Sequence, residues 1–156
     1  MGKGLALQFK RCFPKNFAAY RQWHAADHLH PGAVIFYREN GKTILNFATK
    51  DHWRNPSRIE WIEAGMRSLL CVVANEGIES VAIPALGCGL GGLQWSEVEA
   101  VIRKELTGES LPEFVRDRIG DLHVELYPPR EMQFIDIGET TARDAEESNG
   151  REALEA

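Results

Sequence analysis

The residues that point most clearly to chemistry lie in a glycine-rich stretch, "PALGCGLGGLQW", at residues 84–95. Four of the six residues from Gly87 to Gly92 are glycine. An apolar, strand-like run, "VAIPAL", precedes them, and a helix-like run, "SEVEAVIRKEL", follows. A strand, a glycine loop and a helix N-terminus present backbone N–H groups and a positive dipole end to an anion. The stretch predicts a phosphate or diphosphate site, and the alternative is a tight turn that only packs a helix against a sheet.

The named phosphate loops fit this stretch poorly. A P-loop is excluded because the two residues after Gly92 are Leu and Gln, where that motif needs Lys and Ser or Thr. Gly87, Gly89 and Gly92 match G-x-G-x-x-G, but that motif opens a dinucleotide-binding fold and here lies past the middle of the chain. Cys88 would be a nucleophile near a helix N-terminus. No histidine pairs with it in the sequence, so a small residue in a crowded turn is the preferred interpretation.

A second glycine-rich stretch, "MGKGLALQF", opens the chain. Gly2, Lys3 and Gly4 again precede a helix-like run, which begins at Leu5. Two glycine-to-helix junctions in one small domain could hold two sides of a single polyphosphate ligand.

The elements that must position these loops form a layered α/β pattern. Two strand-like runs, 33–38 and 43–49, flank an Asn-Gly turn and predict a hairpin. Residues 55–77 predict a long helix that opens on a capping box of Ser57 and Glu60 and ends at Gly77. Strands and helices alternate after residue 56, which predicts an α/β domain.

Composition and charge predict one domain with a tail. The chain has 156 residues and no apolar run long enough to form a membrane helix. Its three cysteines are too few and too irregularly spaced for a disulfide framework, so we expect a cytoplasmic protein. The formal charge is -5, of which residues 131–156 carry -6, and the remainder is close to neutral at +1. We therefore predict a domain at 1–130 and an acidic, disordered tail at 131–156.

Histidines do not indicate a metal site. His24 and His28 stand four residues apart and would face the same side of a helix. No cysteine or further ligand pattern accompanies them, so no metal and no cofactor are expected.

Three longer stretches together resemble a known family. They are "MGKGLALQFKRCFPKNFAAY", "ILNFATKDHWRNPSRIEWIEAGM" and "IPALGCGLGGLQWSEV". Over about residues 1–127, the sequence resembles macrodomains, in the branch of the DarG antitoxins and the terminal ADP-ribose glutamate glycohydrolase. The resemblance implies a three-layer α/β/α fold with a mixed sheet and a cleft for ADP-ribose.

The resemblance also assigns roles to residues. It implies that Lys50, in a Thr-Lys pair after a strand, is catalytic, as a proton donor or cation for the leaving base or as a nucleophile. It implies ADP-ribose binding by Gly2, Lys3, Gly4, Leu5, Thr49, Gly87, Cys88, Gly89, Leu90, Gly91 and Gly92. His52, Trp53 and Arg54 are candidates for DNA contact; for Trp53, packing on the fold is an equal alternative.

The implied activity is ADP-ribosyl glycohydrolysis, with removal of ADP-ribose from thymine in DNA. Relatives that cleave glutamate esters carry an aspartate where this chain has Gly91, and the "GLGG" form resembles the DNA-acting antitoxins. ADP-ribosylated DNA and a DarT-type toxin are the implied partners. A non-catalytic ADP-ribose-binding module and a truncated, inactive remnant are the alternatives.

The sequence departs from the family pattern at its start. Family members have a further segment before the "MGKG" match, and it carries a central strand and an adenine-recognising acid. Relative to them we expect an N-terminally truncated fold whose neighbouring strands have unpaired backbone groups. Three explanations remain open: a true start upstream of Met1, which is the preferred one, a degraded fragment, or residues 131–137, "EMQFIDI", filling the place of the strand.

Overall fold

The computed structural model describes residues 3–129, and all structural statements below refer to them. The predicted tail at 131–156 lies outside these residues. The elements follow one another in the order α1 (Gly4–Cys12), α2 (Pro14–Ala25), β1 (Val34–Glu39), β2 (Lys42–Phe47), α3 (Ile59–Glu76), β3 (Ser80–Pro84), α4 (Trp95–Leu106), α5 (Glu113–Ile119) and β4 (His123–Tyr127).

The predicted hairpin is confirmed. Strands β1 and β2 pair antiparallel, from Val34 opposite Phe47 to Glu39 opposite Lys42. The turn residues Asn40 and Gly41 have φ of 51° and 70°. Two successive left-handed residues match the right-handed twist of the strands, which is why Asn-Gly is favoured in such turns.

The four strands form two separate two-stranded sheets. Strand β3 pairs with β4 in parallel, with Ser80 opposite His123 and Pro84 opposite Tyr127. Both strand senses of the predicted mixed sheet therefore occur, but within residues 3–129 no ladder joins β2 to β3. Among the described residues no strand lies between β2 and β3, so the two sheets stay separate.

Helix α3 is the centre of the core, which confirms the predicted long helix. Its buried side chains are Ile62, Met66, Leu69, Leu70, Val73 and Ala74. Val34 and Leu45 of the hairpin pack on one end of this row, and Val81 and Val124 of the parallel pair pack near the other. Helix α2 lies against the opposite face of the hairpin, where Trp23 meets Tyr37 edge-on at 6.2 Å between ring centroids. The hairpin thus has helices on both faces.

The start of α3 differs from the predicted capping box of Ser57 and Glu60. Helix α3 begins at Ile59 with Arg58 as its N-cap, and Ser57 makes no capping hydrogen bond. At α2, the carboxylate of Glu39 accepts from the backbone N–H groups of Lys15 and Asn16 at 3.3 and 2.8 Å. A buried carboxylate from the end of β1 therefore satisfies the start of α2, a role usually taken by a local side chain.

An ion pair between buried Glu105 and the partly exposed Arg67 joins α4 to α3. Glu105, almost fully buried, accepts from Arg67 at 3.1 and 3.2 Å and from the hydroxyl of Ser110 at 2.8 Å. Burial alone would raise the pKa of Glu105. The hydrogen bonds from Arg67 and Ser110, with the positive charges of Arg67 and Lys104, outweigh burial and hold the pKa below its ordinary value.

This pair makes stability pH-dependent. A carboxylate with a lowered folded-state pKa stabilises the fold above its unfolded pKa of about 4.3, and that contribution is lost as pH falls through the folded value. We expect the free energy of unfolding of Glu105→Gln to vary less with pH below about pH 5 than that of the wild type. Urea denaturation across this range measures it, and exposed Glu109→Gln should retain the wild-type slope.

Candidate active site

The glycine loop between β3 and α4 is folded by its own backbone. Within it, the N–H of Cys88 donates to Ala85 O at 3.3 Å, and the N–H of Leu93 donates to Gly87 O at 3.1 Å. Gly87 and Gly92 have φ of 71° and 80°, a region that L side chains avoid, so these two positions require glycine.

Three consecutive N–H groups of this loop remain free. Among residues 3–129, those of Gly89, Leu90 and Gly91 make no hydrogen bond, while the neighbouring N–H of Gly92 donates to Gly89 O at 3.1 Å. Helix α4 begins soon after, at Trp95, without a side-chain cap. Free successive N–H groups next to a helix N-terminus form an anion-binding concavity. The loop therefore has the geometry for a phosphate group.

Lys50 lies against this loop. Its Nζ donates a hydrogen bond to the carbonyl of Leu90 at 2.5 Å, across 40 positions of sequence. Lys50 comes three residues after the end of β2, and Leu90 follows β3, so the ends of the two sheets meet here. The structure brings together the lysine and the glycine loop that the sequence marked separately.

Ser57 also holds this loop. Its backbone N–H donates to Gly91 O at 2.9 Å. A Cβ on Gly87 would lie 2.8 Å from a methyl carbon of Leu93 and 3.1 Å from the Cβ of Ser57. A Cβ on Gly91 would overlap the Gly87 carbonyl and the Ser57 hydroxyl. Side chains are thus excluded because the loop folds onto itself and onto Ser57, a contact that the sequence interpretation of Ser57 as a helix cap missed.

A compact turn after Lys50 presents an exposed aromatic side chain. The carboxylate of Asp51 accepts from His52 N at 2.6 Å and from Asn55 Nδ2 at 3.2 Å. The hydrogen bond from the His52 backbone is the main cause that lowers the pKa of Asp51. The Trp53 side chain is 71% exposed, and the Arg54 guanidinium lies 4.5 Å from its ring centroid. Trp53 is therefore not part of the core, and its contact with DNA stays a prediction.

Cys88 is shielded. Its Sγ contacts the carbonyl of Leu86 at 3.5 Å, and burial raises the pKa of its thiol. A thiol with a raised pKa is a weak nucleophile at neutral pH. The structure favours the interpretation of Cys88 as a small residue of the turn.

The N-terminal part of the predicted site is not joined to the loop. Gly2 lies outside the described residues. Lys3 is the N-cap of α1, Gly4 begins it with φ of 58°, and Leu5 is about half exposed. Within residues 3–129, no hydrogen bond links these residues or Thr49 to the glycine loop. Their role in binding stays a prediction.

Comparison with known proteins places this architecture in a family. The model of the Macro domain matches residues 1–102, and the chain belongs to the macro domain family. It is 43% identical over 110 residues to a DNA ADP-ribosyl glycohydrolase of Thermus aquaticus, covering 68% of this chain and 31% of that protein. It is 40% identical over 134 residues to the protein of that name from Mycobacterium tuberculosis, covering 83% and 35%. The chain thus spans about a third of the length of these curated relatives.

Solved structures agree with the family assignment. The macrodomain of Mycobacterium tuberculosis DarG superposes with a TM-score of 0.71 at 37% identity, covering 83% of this chain and 82% of that one. Thermosipho africanus DarTG in complex with ADP-ribose gives a TM-score of 0.68 at 33% identity, covering 86% and 36%. The macrodomain fold and the DarG branch expected from the sequence are confirmed.

Proposed function

We propose that this macrodomain binds ADP-ribose in the glycine loop and hydrolyses its glycosidic bond with Lys50. The observation that carries the proposal is the contact of the Lys50 amine with the loop at Leu90, beside the free N–H groups of Gly89–Gly91. A diphosphate on these N–H groups would hold the attached ribose near a positively charged side chain. The relatives named DNA ADP-ribosyl glycohydrolase support the same chemistry.

The reaction adds water across the bond between the anomeric carbon of the ribose and the base. The transition state carries oxocarbenium-like positive charge, and the departing base carries negative charge. In the structure Lys50 uses one N–H to hold Leu90 O. An ammonium has three donors, so two remain for the leaving base nitrogen, which takes a proton while the hydroxide of water joins the carbon. Attack by the neutral amine of Lys50 is the alternative route.

The substrate we propose is ADP-ribose attached to thymine in DNA. A Cβ at Gly91 would overlap the Gly87 carbonyl and the Ser57 hydroxyl, so the loop has no room for an aspartate at this position. By the family resemblance, macrodomains that cleave glutamate esters carry an aspartate there, so we propose DNA as the substrate.

The exposed turn after Lys50 supplies a surface for DNA. We propose that Trp53 stacks on a base next to the modified one, and that His52 and Arg54 contact the backbone. Stacking of a base on an aromatic ring contributes about 1–3 kcal/mol. Trp53→Ala should therefore raise KM for a modified oligonucleotide while the affinity for free ADP-ribose stays constant. Phe114, on α5, is another exposed aromatic residue. Phe114→Ala is the matched control and should change neither the KM for the oligonucleotide nor the affinity for ADP-ribose.

A DarT-type toxin is the protein partner that we propose, with the cytoplasm as the location. A relative from Thermosipho africanus is a fusion of a DNA ADP-ribosyl transferase with a DNA ADP-ribosyl glycohydrolase, 34% identical over 156 residues. Of the helices between residues 3 and 129, none combines the length and apolar character of a membrane span.

The experiment offers the wild-type chain two substrates, a thymine-ADP-ribosylated oligonucleotide and a glutamate-ADP-ribosylated peptide, and measures free ADP-ribose. Release from the oligonucleotide alone is expected. Release from the peptide alone would overturn the DNA assignment. Calorimetric binding of ADP-ribose without release would leave a binding module, and neither binding nor release would indicate an inactive remnant.

A further inference from the structure

The hydroxyl of Ser57 is a buried polar group without a use in the fold. Ser57 is 5% exposed, and within residues 3–129 its Oγ has no hydrogen-bond partner. Buried polar groups are nearly always hydrogen-bonded, and an orphaned one destabilises the state that contains it. Ser57 adjoins the glycine loop, so the orphaned hydroxyl lies beneath the candidate active site.

An acceptor lies close to this hydroxyl. A Cβ built on Gly91 would meet both Gly87 O and Ser57 Oγ, so these two oxygens border the same small space. The carbonyl of Gly87 accepts one hydrogen bond, from Leu93 N at 3.1 Å. A carbonyl oxygen has two lone pairs and can accept a second. A small movement of the loop would bring the hydroxyl and this carbonyl into hydrogen-bond contact.

We propose that Ser57 is a positioning residue that locks the glycine loop when a diphosphate binds. In this ligand-bound state, the locked state, the Ser57 hydroxyl donates to Gly87 O, while the Ser57 N–H still donates to Gly91 O. The inference rests on the proposed function, since it takes the diphosphate of ADP-ribose as the ligand that fixes the N–H groups of Gly89–Gly91. A ligand favours whichever loop state it binds more tightly, and the added hydrogen bond belongs to that state.

The lock also positions Lys50. The carbonyl of Leu90, which Lys50 contacts, is one residue before the Gly91 carbonyl that Ser57 holds. Two neighbouring carbonyls are thus held by groups on one segment, residues 50–57. Fixing the loop through Ser57 therefore sets the place of the Lys50 amine relative to the bound ribose.

The test is Ser57→Ala, which removes the hydroxyl and leaves the backbone donor to Gly91. The unfolding midpoint of the free protein should stay constant or rise, because an unpaired buried hydroxyl is lost. Affinity for ADP-ribose by calorimetry should fall by roughly five- to tenfold, the loss of one hydrogen bond. Hydrogen exchange should show less protection of amides 87–93 on ADP-ribose binding than in the wild type. The control is Ser68→Ala in α3, which should bind ADP-ribose with unchanged affinity; the Ser68 hydroxyl donates to the carbonyls of Gly32 and Ala64, away from the glycine loop.

The outcomes separate this inference from the proposed function. If Ser57→Ala binds ADP-ribose as tightly as the wild type, the lock is refuted and the function stands. A lowered unfolding midpoint with unchanged loop protection would show a structural role and also refute the lock. A wild-type chain that binds no ADP-ribose would overturn both.

Discussion

Lys50→Ala is expected to slow the release of ADP-ribose strongly while leaving the protein folded and able to bind the nucleotide. Proton transfer or charge stabilisation by a positioned side chain contributes about 10²- to 10⁴-fold to a rate, and the loss should fall in this range. Lys50 is partly exposed and makes a single hydrogen bond, to Leu90, so its removal leaves no buried charge. The measurements are the rate of release under saturating substrate and calorimetric binding of ADP-ribose.

The control for this variant is Lys42→Ala. Lys42 is an exposed lysine on the same strand, β2, at the hairpin end opposite to the site. It should retain the wild-type rate. Unchanged turnover in Lys50→Ala would refute the mechanism, because among residues 3–129 no other lysine donates a hydrogen bond to the glycine loop.

Gly91→Ala is the second variant with a large expected effect. The added methyl group would overlap the Gly87 carbonyl and the Ser57 hydroxyl, one of which is backbone and cannot turn away. Overpacking of this kind costs about 1–3 kcal/mol, and here the loop must shift to accommodate it. The unfolding midpoint should fall, and ADP-ribose binding should be lost with the shape of the loop.

Gly89→Ala is the matched stability control two residues away. A Cβ on Gly89 would meet no atom within 4 Å, so its unfolding midpoint should equal that of the wild type. Equal midpoints for Gly91→Ala and Gly89→Ala in thermal denaturation would contradict the close packing of the loop on Ser57.

Local signals in the sequence predicted the hairpin, the long helix and the glycine loop of the candidate site. Asn40-Gly41 predicted a two-residue turn because few other pairs accept two left-handed conformations. The glycines of 87–92 predicted a loop without side chains, and family resemblance alone marked Lys50. The contact between Lys50 and Leu90 spans 40 positions, so only the fold could show it.

What the sequence did not reveal depends on long-range contacts. Helix α5 was missed; its only strong local cue was Pro112 ahead of an apolar Val115. Glu39 caps α2 from 23 positions away, whereas Ser57 next to α3 does not cap it. A capping motif describes how nearby side chains compete for the free N–H groups at the start of a helix. The Ser57 side chain lies against the glycine loop instead, so it does not cap α3. The division into two sheets likewise follows from pairing between distant strands.

The most direct test of the account is a crystal structure of the wild-type chain with ADP-ribose. We predict diphosphate oxygens within hydrogen-bond distance of the N–H groups of Gly89–Gly91, and the anomeric carbon of the distal ribose beside the Lys50 amine. ADP-ribose bound away from the loop, or with its distal ribose out of reach of Lys50, would contradict the proposed active site.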